Sequence, residues 1–107
     1  MHTGVALRHE GVVKLDRRTK DLVKRLGPEN IAVIDHVDMD RVSAESLVAT
    51  GVEVVINAAP SISGAYPNLG PLILARGGVT LIDHVGSDIF TSLREGEVIQ
   101  VLEQIHR

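Results

Sequence analysis

Short, continuous apolar runs alternate with amphipathic stretches along this chain. The run Ile31-Ala32-Val33-Ile34 contains no polar position, and 52–56 and 79–82 are each interrupted once, by Glu53 and Thr80. Such runs predict strands buried on both faces. Between them lie segments with helical spacing. Leu15, Thr19, Leu22, Val23 and Leu26 recur every three or four residues, which predicts a helix over 16–26 with Asp16 as its N-cap and Gly27-Pro28 as its stop. A second helix is expected at 41–50, capped from Asp38 and Asp40, facing inward through Val42, Leu47 and Val48 and ending at Gly51. A third, at 69–76, takes Pro71 in its first turn and breaks at Gly77-Gly78. Ser87 caps a short helix through Leu93, and 97–102 reads as a last strand. Residues 4–15 read as two short extended pieces with Gly11 as a turn or bulge. The expected core includes Ile31, Val33, Val54, Ile56, Leu72, Leu81 and Ile82.

The alternation predicts an α/β fold, a mostly parallel sheet with flanking helices and right-handed crossovers. Ligands of such sheets bind at the carboxyl ends of the strands. The informative polar residues fall there: Asp35-His36, the stretch 57–68, and Asp83-His84. Ile34-Asp35-His36-Val37 returns as Ile82-Asp83-His84-Val85, 48 residues later, a single echo too short to establish a duplicated domain.

Composition narrows the picture. The chain has 107 residues, a single domain's length. It has no Cys or Trp, and its aromatics are Tyr66 and Phe90, so the stacking platform of single-strand nucleic-acid binders is missing. The formal charge of −3 argues against bulk attraction to nucleic acid or anionic membrane. Its distribution is uneven: residues 1–26 hold seven basic and three acidic side chains, and the remainder holds four basic and eleven acidic. No run approaches the ~18 apolar residues of a membrane span, and the first residues lack a signal-peptide pattern, so a cytoplasmic domain is expected.

Three groups of residues are candidates for chemistry. Asp35, His36, Asp38, Asp40, Asp83 and His84 have the right donor types for a metal, but not the spacing of any metal motif, so no metal site is expected. The loop 61–68 is longer than a minimal connection and rich in small hydrogen-bonding residues. Asn57, Ser61, Ser63, Gly64, Tyr66 and Asn68, with Asp35 and Asp83 at neighbouring strand ends, form the expected ligand-binding set. The acids would repel an anion, so Asp38 is expected to turn away into a helix cap. Arg17, Arg18 and Lys20 form a basic contact for a phosphate or an acidic partner, or a solvated face paired with the chain's own acids. Ser61 and Ser63 lack the setting of a nucleophile, and no catalytic residue is assigned.

Four segments together resemble one family. Asp16-Arg-Arg-Thr-Lys-Asp-Leu-Val-Lys-Arg-Leu26, Ile31-Ala-Val-Ile-Asp-His36, Asn57-Ala-Ala-Pro-Ser-Ile-Ser-Gly64 and Tyr66-Pro-Asn-Leu-Gly-Pro71 are similar to the amino-terminal region of the SteA-like family, bacterial cytokinetic ring proteins. The resemblance runs from about residue 11 to 101; the tail after Val98 departs from the Gly-rich continuation of that family. It implies an amino-terminal domain of a longer protein with a thiamin pyrophosphokinase-like region downstream. It also implies that the downstream domain and a division protein are partners, with self-association open. A nucleotide or thiamine phosphate would belong to the full-length protein, with no cofactor in this domain. The layout from 51 to 101 is also similar to the swivelling phosphohistidine domain, with a flavodoxin-like three-layer sandwich as the alternative. The phospho-accepting histidine of the swivelling domain would fall near 63–68, where this sequence has none. Fold analogy alone does not carry function.

Overall fold

The computed structural model describes residues 5–64 and 68–105. The elements are β1 (Val5–Leu15), α1 (Thr19–Leu22) running into a 3-10 turn (Val23–Arg25), β2 (Asn30–Ile34), α2 (Arg41–Ala49), β3 (Val54–Asn57), α3 (Gly70–Arg76), β4 (Thr80–Ile82), α4 (Ile89–Ser92) and β5 (Val98–Ile105). They form one five-stranded sheet in the order β4-β3-β2-β1-β5. The first four strands are parallel, and β5 joins β1 antiparallel. The α/β class and the mostly parallel sheet are as expected.

Neighbouring strands joined in chain order by same-handed crossovers place their helices on one face. That face buries Leu22 of α1, Ala44 and Leu47 of α2 and Leu74 of α3 against Ala32, Ile34 and Val55. The other face packs Val13, Ile31, Val33, Val54 and Ile56 against Ile89 and Phe90 of α4 and against Ile99 and Val101 of β5. With both faces covered, every residue of β2 and β3 is buried, the reason these strands carry unbroken apolar runs.

Several local expectations are corrected. The amino-terminal extended segment is one eleven-residue strand. Gly11 is paired with Ile99, and a Cβ there would stand 2.8 Å from the Glu29 carbonyl oxygen; close approach, not a turn, requires the glycine. The 16–26 helix is only one α turn and one 3-10 turn, and Asp16 accepts the Arg18 N–H at 3.0 Å instead of capping it. Asp40 caps α2 by accepting the Ser43 N–H; Asp38 does not. Val42 points outward at 68% exposure, and Ala44 takes the inner position. Leu72 is 47% exposed, while Leu74 is buried. Asp88, not Ser87, stands at the N-cap of α4. Met39, absent from the expected core, is fully buried.

Candidate functional site at the carboxyl edge of the sheet

The exits of β2, β3 and β4 are knitted together at one edge. Ala58 N–H donates to the Ile34 carbonyl, Asp38 N–H to Pro60 and Met39 N–H to Ser61. On the other side, Val85 and Gly86 donate to Asn57 and Ala58. The β3 exit is therefore clamped from both neighbours. Asn57 is the hub. Its side chain is fully buried; Oδ1 accepts from His36 N–H (3.0 Å) and Ala59 N–H (3.2 Å), and Nδ2 donates to the His36 carbonyl (2.8 Å) and Ser61 Oγ (2.7 Å). A buried amide fully used in this way fixes the loop that follows it.

Two carboxylates complete the clamp. Asp83 accepts both the N–H (3.0 Å) and the hydroxyl (2.7 Å) of Ser61, which has no exposed surface. Asp38 accepts the N–H (2.7 Å) and the hydroxyl (2.8 Å) of Ser63. Asn68 Nδ2 donates to the Ser61 carbonyl at 2.8 Å, and its buried Oδ1 has no hydrogen-bond partner among the described residues. Gly64 is exposed with φ +93°. Tyr66 lies outside the described residues. The structure thus brings together Asn57, Ser61, Ser63, Asn68 and Asp83. In this arrangement the chain's own carboxylates occupy the donors that the sequence offered to an anion.

Asp35 turns the other way. It pairs with Arg17 at 3.0 Å, and the Arg17 guanidinium lies 4.5 Å from the centre of the Phe90 ring. The two halves of the Ile-Asp-His-Val echo therefore differ in role: Asp83 staples the 61–68 loop, whereas Asp35 anchors the basic segment. Its first half reaches the loop through Asp38, three residues on, which adopts φ +52° to do so. His36 Nδ1 and Thr19 Oγ1 are hydrogen-bonded at 2.9 Å, and His36 Nε2 lies 3.8 Å from Asp40. Ser43 holds the Asp40 carboxyl below its ordinary range, side chain and N–H together outweighing burial. Thr19 is 4% exposed and Ser61 is closed to solvent, so neither presents a hydroxyl to a substrate.

Arg18 and Lys20 are exposed, and Lys20 lines a cleft of about 280 Å³ with Thr19, Val23, Val42, Ser43 and Ser46, between α1 and α2. Among the described residues no group of three or more His, Asp or Glu is arranged to hold a metal, and no helix is long and apolar enough to cross a membrane. The sequence reasoning named Asn57 and Asp83 but missed Glu95, which accepts the Leu15 N–H at 2.9 Å and pairs with Arg25 across 70 residues of chain. Nothing local marks such a contact. No family model matches this chain, and comparison with curated proteins and with solved structures gives no match.

Proposed function

We propose that this chain is a non-catalytic interaction module of a bacterial cell-division-associated protein of the SteA-like kind, cytoplasmic, which positions or regulates a downstream thiamin pyrophosphokinase-like domain. One observation carries the reading. The Ser61 and Ser63 donors of the carboxyl edge are used internally, and beside exposed Ser63, Asp83 and His84 the stapled loops expose four large apolar side chains, Val37, Ile62, Leu69 and Val85. Large apolar side chains exposed along these loops favour a protein-binding face over a phosphate pocket. For the finer fold we favour the swivelling type. Its strand, Gly/Ser loop, helix, short strand and final strand correspond to β3, 61–68, α3, β4 and β5.

The second reading is a share of a nucleotide or thiamine-phosphate site completed by another domain, with Asp35, Asp83 and the 61–68 loop contributing. The unpartnered Asn68 Oδ1 is the observation in its favour. Calorimetric titration of the chain with ATP and with thiamine diphosphate separates the two. No saturable heat is expected; saturable binding abolished by Asp83→Ala establishes the second reading instead. For the first, Ile62→Lys in the full-length protein is expected to release the module from its neighbour and raise the radius of gyration measured by small-angle scattering. An unchanged value contradicts the docking.

A further inference from the structure

The two edges of the sheet are unequal. β4 ends one side with three residues, and β5 ends the other with eight. Natural edges are blunted by shortness, proline, bulges or charge. β4 is short. β5, Val-Ile-Gln-Val-Leu-Glu-Gln-Ile, has no proline, and its one charge is Glu103.

The register states which backbone groups of β5 are open. Val13 N–H donates to the Glu97 carbonyl at 2.8 Å, and Val12 aligns with Val98, Gly11 with Ile99 and so on to Ile105. Antiparallel ladders alternate. Ile99 and Val101 therefore exchange bonds with β1, and the N–H and C=O groups of Val98, Gln100 and Leu102 point to the open side. Side chains alternate likewise. Ile99 and Val101 join the core beneath α4, so Val98 and Leu102 lie on the helix-bearing face, and each is 63% exposed.

We propose that β5 is a homodimerisation edge, with two copies pairing β5 antiparallel about a two-fold axis at Gln100 to make one continuous ten-stranded sheet. The occupant is a second copy because the strand is complementary to itself. A dyad at Gln100 sets Val98 opposite Leu102 of the partner subunit, and Leu102 opposite Val98 of the partner subunit. On the other face Ile99 meets Val101 of the partner subunit. Gln100 sits on the axis. Its Nε2 already donates to Glu10 Oε2 at 3.1 Å, which orients the amide. The remaining N–H and the carbonyl oxygen can be exchanged reciprocally with Gln100 of the partner subunit. The contact is isologous and closed: once the two β5 edges are joined, only the three-residue β4 edges remain, too short to propagate a fibre. This inference is independent of the reading given to the carboxyl edge.

Sedimentation velocity across a concentration series tests it. The chain is expected to reach twice its 11.5 kDa mass in a reversible monomer–dimer equilibrium. Leu102→Lys places a charge on the bare face of the edge and is expected to weaken the dimer at least ~10-fold, with an unchanged circular dichroism spectrum. Gln100→Pro removes an N–H that β1 does not use and is expected to abolish the dimer; if that variant misfolds, Leu102→Lys decides alone. In the wild-type dimer, the Gln100 and Leu102 amides should exchange slowly with solvent and lose that protection on dilution. A chain that stays monomeric throughout the series, or a dimer that Leu102→Lys leaves at full strength, overturns the proposal.

Discussion

Asn57 shows how one side chain can set the shape of a loop. Its amide joins the exits of two strands and the hydroxyl of Ser61, and Asn57 and Ser61 themselves have no exposed surface. Replacing it by Ala leaves several buried donors and acceptors unpaired, each costing about 1–3 kcal/mol. Asn57→Ala is therefore expected to lose at least ~2 kcal/mol in urea unfolding; a loss within experimental error contradicts the hub. Glu95 acts at the same edge of the sheet, at the exit of β1. Burial pushes its carboxyl up, but the Leu15 N–H and the Arg25 guanidinium outweigh burial and hold it below its ordinary value. A depressed carboxyl stabilises the fold fully above the ordinary glutamate range, and that contribution fades as pH falls through it. The Tm difference between wild type and Glu95→Gln should accordingly shrink on acidification. A difference that is constant from neutral to acid pH rules the contact out as a source of stability.

At the scale of elements, α3 shows what a sequence leaves undecided. Leu72, Ile73 and Leu74 are consecutive and apolar in a seven-residue helix, so periodicity does not select the inward one. Contact with α2's entry selects it: a Cβ on Gly70 would stand 2.2 Å from the Met39 carbonyl oxygen, and this approach sets the roll of the helix and turns Leu74 in. Leu74→Ala should cost ~2–5 kcal/mol and Leu72→Ala no more than ~0.5 kcal/mol by chemical denaturation; the reverse order contradicts the roll. The strands were more legible. Ile31-Ala32-Val33-Ile34 has one reading because both its faces are buried. The continuity of β1 was hidden because a glycine that serves close approach looks, in sequence, like a glycine that serves a turn. The candidate site was legible as a set of residues, since strand-end polar residues in a parallel sheet gather at one edge. Its wiring was not, because Asp83 and Ser61 are 22 residues apart and Asp38 and Ser63 are 25 apart.

At the scale of the whole molecule, the basic amino-terminal segment and the acidic remainder are joined by Arg17–Asp35 and Arg25–Glu95. Exposed pairs of this kind contribute at most about 1 kcal/mol each, so they orient the segment more than they stabilise it. Apolar burial on both sheet faces holds the fold, and the carboxyl edge is fixed by the chain's own acids. That internal occupation is the central claim, and the Ser61 amide tests it most directly. Hydrogen exchange of a uniformly nitrogen-15-labelled sample, followed by NMR, reads it residue by residue. The account predicts that the Ser61 amide exchanges as slowly as the Val55 and Ile56 amides, speeds up in Asp83→Ala, and keeps its chemical shift when inorganic phosphate is added. A Ser61 amide that exchanges at the rate of an open loop, or that shifts saturably with phosphate, contradicts it.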